Sequence, residues 1–257
     1  LRAARLKGAQ IGDSDLSGAD LQAAELGGAA FSNSKLTGAR VARMSAAGAS
    51  LAGCELADVD LSGLDLSGCD LGGAVLSRAR FAGCDLSEAR LAEADARGAD
   101  FGGARLVRTD LSGADLRETN LARATLDRCR LNGAQLGGAD LRDARLESCR
   151  AAGIDFTSTQ LAGTAFPGCD LADTSFEGLD VSGQSFRDAD LSRARLRGVR
   201  LRGAELREAT LAGADLSGAD LSGASCHTAD FSGALLEGAN LQGADLRCAR
   251  LEGARLA

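Results

Sequence analysis

The sequence predicts an all-β fold, a coil of short flat sides that turns once in every five residues. Three observations carry that reading. Apolar residues recur at every fifth position from Leu1 to Leu256 without an insertion or deletion. Charged residues avoid two of the five positions altogether, and the glycines gather at a third.

Each position has its own reason. The central positions (1, 6, 11 and onward) number 52, and all but Ala46, Ala96, Ala151 and Cys226 hold Leu, Phe, Ile or Val, with all eight phenylalanines among them. Two residues earlier stands a small position, mostly Ala, with Cys, Thr, Ser, Val, Leu, Ile and Met as variants and Gln184 as the one clear misfit. None of the 65 charged residues (29 basic and 36 acidic) falls on either class, so these two positions define the inside. Of the 34 glycines, 29 lie two places after a central residue, where a corner needs an unusual backbone angle, and the other five lie one place after it.

An α-helix cannot use this pattern, because five-residue steps advance about 140° and scatter the leucines around the axis. In an extended segment residues two apart face the same side, so the small and central residues point inward together. Five is odd, so a straight strand would flip its apolar set at each repeat, and only a turn per repeat keeps every set inside.

Composition agrees. One proline, one histidine, no tryptophan and no tyrosine rule out an ordinary aromatic core, while 45% hydrophobic residues rule out disorder. No apolar run approaches the ~18 residues of a membrane span, and the chain opens directly in the repeat without a signal-peptide core, so the expectation is a cytoplasmic protein. The net charge is −7 and only Lys7 and Lys35 are lysines, which gives no basic footprint for nucleic acid.

Repeats such as Ala214-Asp215-Leu216-Ser217-Gly218 and Ala219-Asp220-Leu221-Ser222-Gly223 resemble the pentapeptide repeat family, whose signature is A(D/N)LxG, over the whole chain. The resemblance implies a right-handed quadrilateral parallel β-helix, a solenoid of about 13 coils of 20 residues with no inserted loops, roughly 60 Å long at the ~4.8 Å strand spacing. Residues 1–257 are then one domain. The first residue is already in register and the repeat continues to Leu256, so the domain is expected to lack its native caps or flanking domains, with end-to-end or homodimer contacts sealing the terminal edges.

Residues twenty apart should stack. Phe166 then lies on Phe186, Phe156 on Phe176 and Phe81 on Phe101. The column from Asp20 to Asn240 reads Asp20, Arg40, Asp60, Arg80, Asp100, Asn120, Asp140, Gln160, Asp180, Arg200, Asp220, Asn240, with aspartate at every second coil. Like charges ~4.8 Å apart repel by about 1 kcal/mol even in water, so alternation removes a stack of repulsions.

No catalytic residue, cofactor or metal site is expected. Cys54, Cys69, Cys84, Cys129, Cys149 and Cys169 take the small position as stand-ins for alanine, Cys226 is also inward, and Cys248 alone is at the surface. Cys129, Cys149 and Cys169 fall one coil apart, and such a straight column suits neither a relaxed disulfide nor a tetrahedral metal. His227, at a corner, reads as a solvated side chain. Every phenylalanine is inward, so no aromatic platform for bases or for a membrane interface exists. Two spots are irregular: Ala46, whose void Met44 could fill, and the stretch from Ala151 to Phe186, which holds Ile154, Leu179, Gln184 and Pro167.

The reading is a non-catalytic structural or protein-interaction scaffold with a protein partner, no direct nucleic acid and no membrane. The alternative is a DNA mimic binding a type II topoisomerase (DNA gyrase), as the resemblance to quinolone-resistance members implies. About 60 Å of duplex carries about 35 negative charges at one per ~1.7 Å. Here the two adjacent sides centred on residues such as Leu51 and Leu56 sum to −4 and −3, and the other two to −1 and +1. The C-terminal dimerising helix and inserted loop of those relatives are not in this sequence.

Overall fold

The structure is a computed structural model describing residues 1–256. The chain forms two compact units, Leu1–Asp140 and Leu141–Ala257. Both are built from the same five-residue element. Among the described residues there is no helix, and hence none long and apolar enough to cross a membrane.

The repeat Leu66–Asp70 shows why the sequence adopts this backbone. Four of its five N–H groups find backbone acceptors. Leu66 N–H donates to Asp85 O (2.8 Å), Gly68 N–H to Ser87 O (2.8 Å) and Asp70 N–H to Ala49 O (3.0 Å), all in adjacent coils. Cys69 N–H closes the corner on Leu66 O (3.1 Å). The fifth, on Ser67, donates to the side chain of Asp65 (3.0 Å). The aspartate of the A(D/N)LxG signature therefore supplies the acceptor that the backbone lacks, which answers the requirement that polar main-chain groups be paired.

Each corner is a four-residue turn whose third residue has positive φ. All 29 glycines expected at corners adopt it, and 21 other residues share it, with φ between 53° and 63°. Ser158 is the exception at this position, in a corner where Asp155 accepts both the N–H (2.9 Å) and the hydroxyl (2.7 Å) of Thr157. Pro167 fits its corner for a complementary reason. It has no N–H to offer, and the position two before it is Ala165, which has no acceptor to offer.

Parallel bridges join residues twenty apart, as in Asp60↔Arg80 and Asp85↔Arg105 of the first unit and Asp180↔Arg200 and Glu205↔Ser225 of the second. Three segments extend into short strands: β1 (Arg105–Val107), β2 (Thr125–Asp127) and β3 (Arg145–Glu147). β1 and β2 pair in parallel, Leu106 opposite Leu126.

The central residues fill the interior, and all eight phenylalanines are fully buried. The three expected stacks form: Phe81–Phe101 at 4.9 Å, Phe156–Phe176 at 4.7 Å and Phe166–Phe186 at 5.3 Å between ring centroids. The second unit adds edge-to-face contacts between rings ten residues apart, on opposite sides of the coil, Phe156–Phe166 (5.7 Å), Phe166–Phe176 and Phe176–Phe186 (both 5.8 Å), which knit four rings into one cluster.

The ladder is interrupted on one side of each unit. In the first, no backbone hydrogen bond among the described residues joins Val41, Arg43 and Ala46 to Asp60, Ser62 and Asp65, and the bridges Arg40↔Asp60 and Ser45↔Asp65 are absent. In the second, Leu161 and Gly163 make none to Asp180 and Ser182, Ser185 makes none to Thr164, and the bridges Gln160↔Asp180 and Ala165↔Ser185 are absent. Met44, expected to compensate for Ala46, does turn inward, where it lines a residual cavity of about 10 Å³ with Leu21, Phe31, Val41 and Leu61. Leu64, one coil on, is equally oversized for its small position.

Candidate interaction surface

Outward side chains come from the residue before each central position and from the corners. The aspartates before central residues carry two duties at once. In the column from Asp20 onward, Oδ1 accepts the corner N–H two residues later (Gln22 at 3.1 Å, Ser62 at 3.0 Å, Ser182 at 3.1 Å, Ser222 at 3.0 Å). The same carboxylates meet the residue one coil on: Asp20 pairs with Arg40 (3.1 Å), Asp60 with Arg80 (3.6 Å) and Asp180 with Arg200 (3.1 Å). Asn120 and Asn240 donate to Asp100 (2.7 Å) and Asp220 (3.0 Å). Alternation thus does more than the sequence suggested: it converts repulsion into a directional ladder in which Asp20, Asp60, Asp100, Asp180 and Asp220 are each pinned by the next coil.

Corners add tighter pairs. Arg78 grips Asp58 with two bonds (2.8 and 2.7 Å), and Arg193 grips Asp173 likewise (2.9 and 2.6 Å). Arg108 pairs with Glu88. Asp115 sits between Arg117 (2.6 Å) and Arg97 (2.8 Å), and their hydrogen bonds, Arg117's first, hold its carboxyl well below the usual carboxylate range. All of these pairs are at least partly exposed, so each contributes little to stability and is screened by salt. Their effect is on the surface itself, where the paired charges are neutralised locally.

Two surface grooves are present. One of about 320 Å³ in the first unit is lined by Ala39, Val41 and Leu64 and walled by Gln22, Arg40, Asp60 and Ser62, so it overlies the ladder interruption. The other, of about 540 Å³ in the second unit, is polar, lined by Arg202, Asp220, Ser222, Asn240 and Gln242.

Cys248 is exposed and the other seven cysteines are buried, as the repeat register required. The inward thiols do more than replace alanine. Cys54, Cys69 and Cys84 donate to the carbonyls of Phe31 (2.8 Å), Ala46 (2.8 Å) and Leu61 (2.9 Å) in the preceding coil. Thr109, Thr164 and Gln184 make the same bond to Leu86, Leu141 and Leu161. These six side chains are cross-coil ties, which sequence reading missed because the acceptor lies 23 residues away, whereas Thr119, Thr159 and Thr174 turn back to the carbonyl three residues before them. Burial pushes Cys54, Cys69 and Cys84 up to about 11 and Cys226 up to about 12, which keeps them as unreactive thiols. Of the anticipated column, Cys129 is buried in the first unit, while in the second Cys149 N–H donates to Cys169 Sγ (3.4 Å). The Cys149 contact and burial raise Cys169 far above an ordinary thiol.

His227 departs from expectation. It is half-buried rather than solvated, its Nδ1 is enclosed without a hydrogen-bond partner, and its carbonyl accepts from Glu208 N–H (3.1 Å) and the Thr228 hydroxyl (2.6 Å). Among the described residues no cluster of His, Cys, Asp or Glu is placed to hold a metal ion.

A parallel β-helix made of five-residue repeats, with its interior filled and its surface paired coil to coil, defines a repeat protein of the solenoid class. The pentapeptide repeat model matches repeatedly over residues 1–38, 34–73, 74–113, 104–143, 139–178, 185–223 and 224–257, and the chain belongs to the pentapeptide repeat family. No curated protein matches it in sequence. Among solved structures it is similar to HetL, a pentapeptide repeat protein involved in heterocyst differentiation regulation from the cyanobacterium Nostoc sp. strain PCC 7120 (29% identity, 99% of this chain and 90% of that one, TM-score 0.38). It is also similar to trypsin-treated QnrB1, a plasmid-mediated fluoroquinolone resistance protein (23% identity, 77% and 89%, TM-score 0.33). A third is a pentapeptide repeat protein of the Arabidopsis thaliana thylakoid lumen (32% identity, 41% and 66%, TM-score 0.24).

Proposed function

We propose that this chain is a non-catalytic protein-interaction scaffold, a right-handed quadrilateral coil of about thirteen turns acting as one domain over residues 1–257. The unbroken register of the sequence supports the coil and the single domain. The observation that carries the functional reading is the division between inside and outside. The interior is spent on packing, its thiols are buried and raised, and variation in charge and size is confined to outward positions on a rigid backbone. Arginine, the best available anchor on an aromatic-free surface, is present there in quantity.

The second reading, a DNA-mimicking binder of type II topoisomerase, draws on the two adjacent sides that sum to −4 and −3. Against it stands the pairing of Asp20, Asp58, Asp60, Asp115, Asp173 and Asp180 with arginines, which cancels the carboxylates that a mimic would present. A gyrase supercoiling assay titrated with the purified chain, with and without a fluoroquinolone, separates the two. No effect up to tens of micromolar is expected for the scaffold; inhibition or drug protection at micromolar or below overturns it in favour of the mimic.

A further inference from the structure

We infer that each unit carries a built-in opening seam, a side of the coil where adjacent turns part first. The seam in the first unit lies between Val41–Ser45 and Leu61–Asp65, and that in the second between Leu161–Ala165 and Val181–Ser185. At both, the later coil carries oversized residues at the two small positions flanking its side: Val59 and Leu64 in the first unit, Leu179 and Gln184 in the second. Below them stand Ala39 and Met44, and Thr159 and Thr164. Stacked side chains at these positions share the ~4.8 Å spacing of the ladder, and a long one on both flanks leaves the backbone no way to close.

Where only one flank is enlarged, the ladder survives. Val199 lies one coil above Leu179, with Ala204 on the other flank, and there Arg200 N–H still donates to Leu179 O (2.8 Å) and Glu205 N–H to Gln184 O (2.9 Å). Central residues respond in kind: Val41 and Val181 are the two valines among all 52 central positions, and one sits at each seam. The smaller side chain offsets part of the excess volume. In the sequence, positions 41, 61, 161 and 181 share one register of the twenty-residue period.

The consequences are visible around the gaps. The 320 Å³ groove opens directly over the first seam, and its floor is made of Ala39, Val41 and Leu64, core residues that are slightly exposed there. At the second, the Gln184 side chain spans to Leu161 O through Nε2 (2.7 Å) while its Oε1 is buried without a partner. A side that lacks its cross-coil bonds and already admits solvent to its floor opens at lower cost than its neighbours, and the remaining sides hold the turn together as a hinge.

Amide hydrogen exchange on the whole chain, read residue by residue, tests this. Val41, Arg43, Asp60 and Asp65 should exchange at least about tenfold faster than the equivalent Leu61, Gly63, Arg80 and Asp85 one coil on, whose bonds are intact. Leu161, Gly163, Asp180 and Ser185 should stand in the same relation to Val181, Gly183, Arg200 and Glu205. The double variant Val59→Ala/Leu64→Ala should close the first seam and bring its four amides to the protection of their neighbours. A reciprocal variant, Ala219→Leu/Ala224→Gln/Leu221→Val, should plant a new seam and remove protection from Leu201, Gly203, Asp220 and Ser225. Equal protection at seam and non-seam amides overturns the inference. So does a planted variant that folds with those four amides still protected, and that outcome decides the matter if the closing variant fails to fold.

Discussion

Replacing Phe166 with leucine isolates the contribution of the four-ring cluster. Phe166 stacks on Phe186 at 5.3 Å and meets Phe156 and Phe176 edge-to-face at 5.7 and 5.8 Å. Phe231, equally buried in the same unit, has no ring partner among the described residues and serves as the reference. Both substitutions exchange a ring for a branched aliphatic of smaller volume, so the packing loss is common to the two. Aromatic pairs contribute at least ~0.5 kcal/mol each beyond burial, so three of them set a floor of about 1.5 kcal/mol on the difference. With a urea dependence of about 1–3 kcal/mol/M, Phe166→Leu should lower the denaturation midpoint by about 0.5–1.5 M more than Phe231→Leu, at unchanged slope. Circular dichroism in a urea titration reads this directly. Equal midpoints would mean that ring geometry adds nothing to volume and that the cluster is coincidental filling.

Other expectations follow from the surface and the corners. With a charged alkylating reagent under native conditions Cys248 should react within minutes while the seven buried thiols persist, and rapid labelling of Cys54 or Cys69 would contradict their raised, enclosed state. Asp115 is held ionised by Arg117 and Arg97, so its stabilising effect is present above the unfolded value near 4 and is lost as pH falls toward its lower folded value. The stability gap between the native chain and Asp115→Asn should therefore shrink on acidification below about pH 4; a gap that is constant with pH would show that the pair contributes through shape alone. Ala23 holds a φ of 56°, and Ala23→Gly should raise stability by up to about 1 kcal/mol, the relief of a left-handed alanine less the added chain entropy. A loss in the same urea assay would refute that balance.

Much of the architecture could be read from residue register alone. Because the period is five and unbroken, one assignment of inside and outside places every leucine, every corner glycine and the three phenylalanine stacks, and it leaves Cys248 exposed. What register could not show depends on atoms that meet across coils or around a bend. The edge-to-face contacts join opposite sides of the coil across its interior, and their geometry depends on ring orientation. The thiol and hydroxyl ties reach a carbonyl 23 residues away, a spacing with no echo in the five-residue pattern. His227 looked solvated because its corner position is outward, yet it is half-buried with its Nδ1 enclosed. The seams were half legible: Met44 and Gln184 stood out singly as misfits, but the decisive fact is that two flanking positions are enlarged together, which is a property of a side and not of a residue.

The main-chain hydrogen bonds leave one side chain in each repeat free to vary. In each repeat the small, central and second corner residues answer to packing or to backbone angle, and the residue before the centre is often engaged twice, once by the corner amide and once by the next coil. The first corner residue is bound by none of these demands beyond lending its own N–H, and there the chain carries Ser, Arg, Ala, Gln, Glu, His and even Pro. That position forms a set of addressable sites on a backbone that does not register what is written there. A new partner can be specified one side chain at a time while the hydrogen-bond pattern beneath is left as it was.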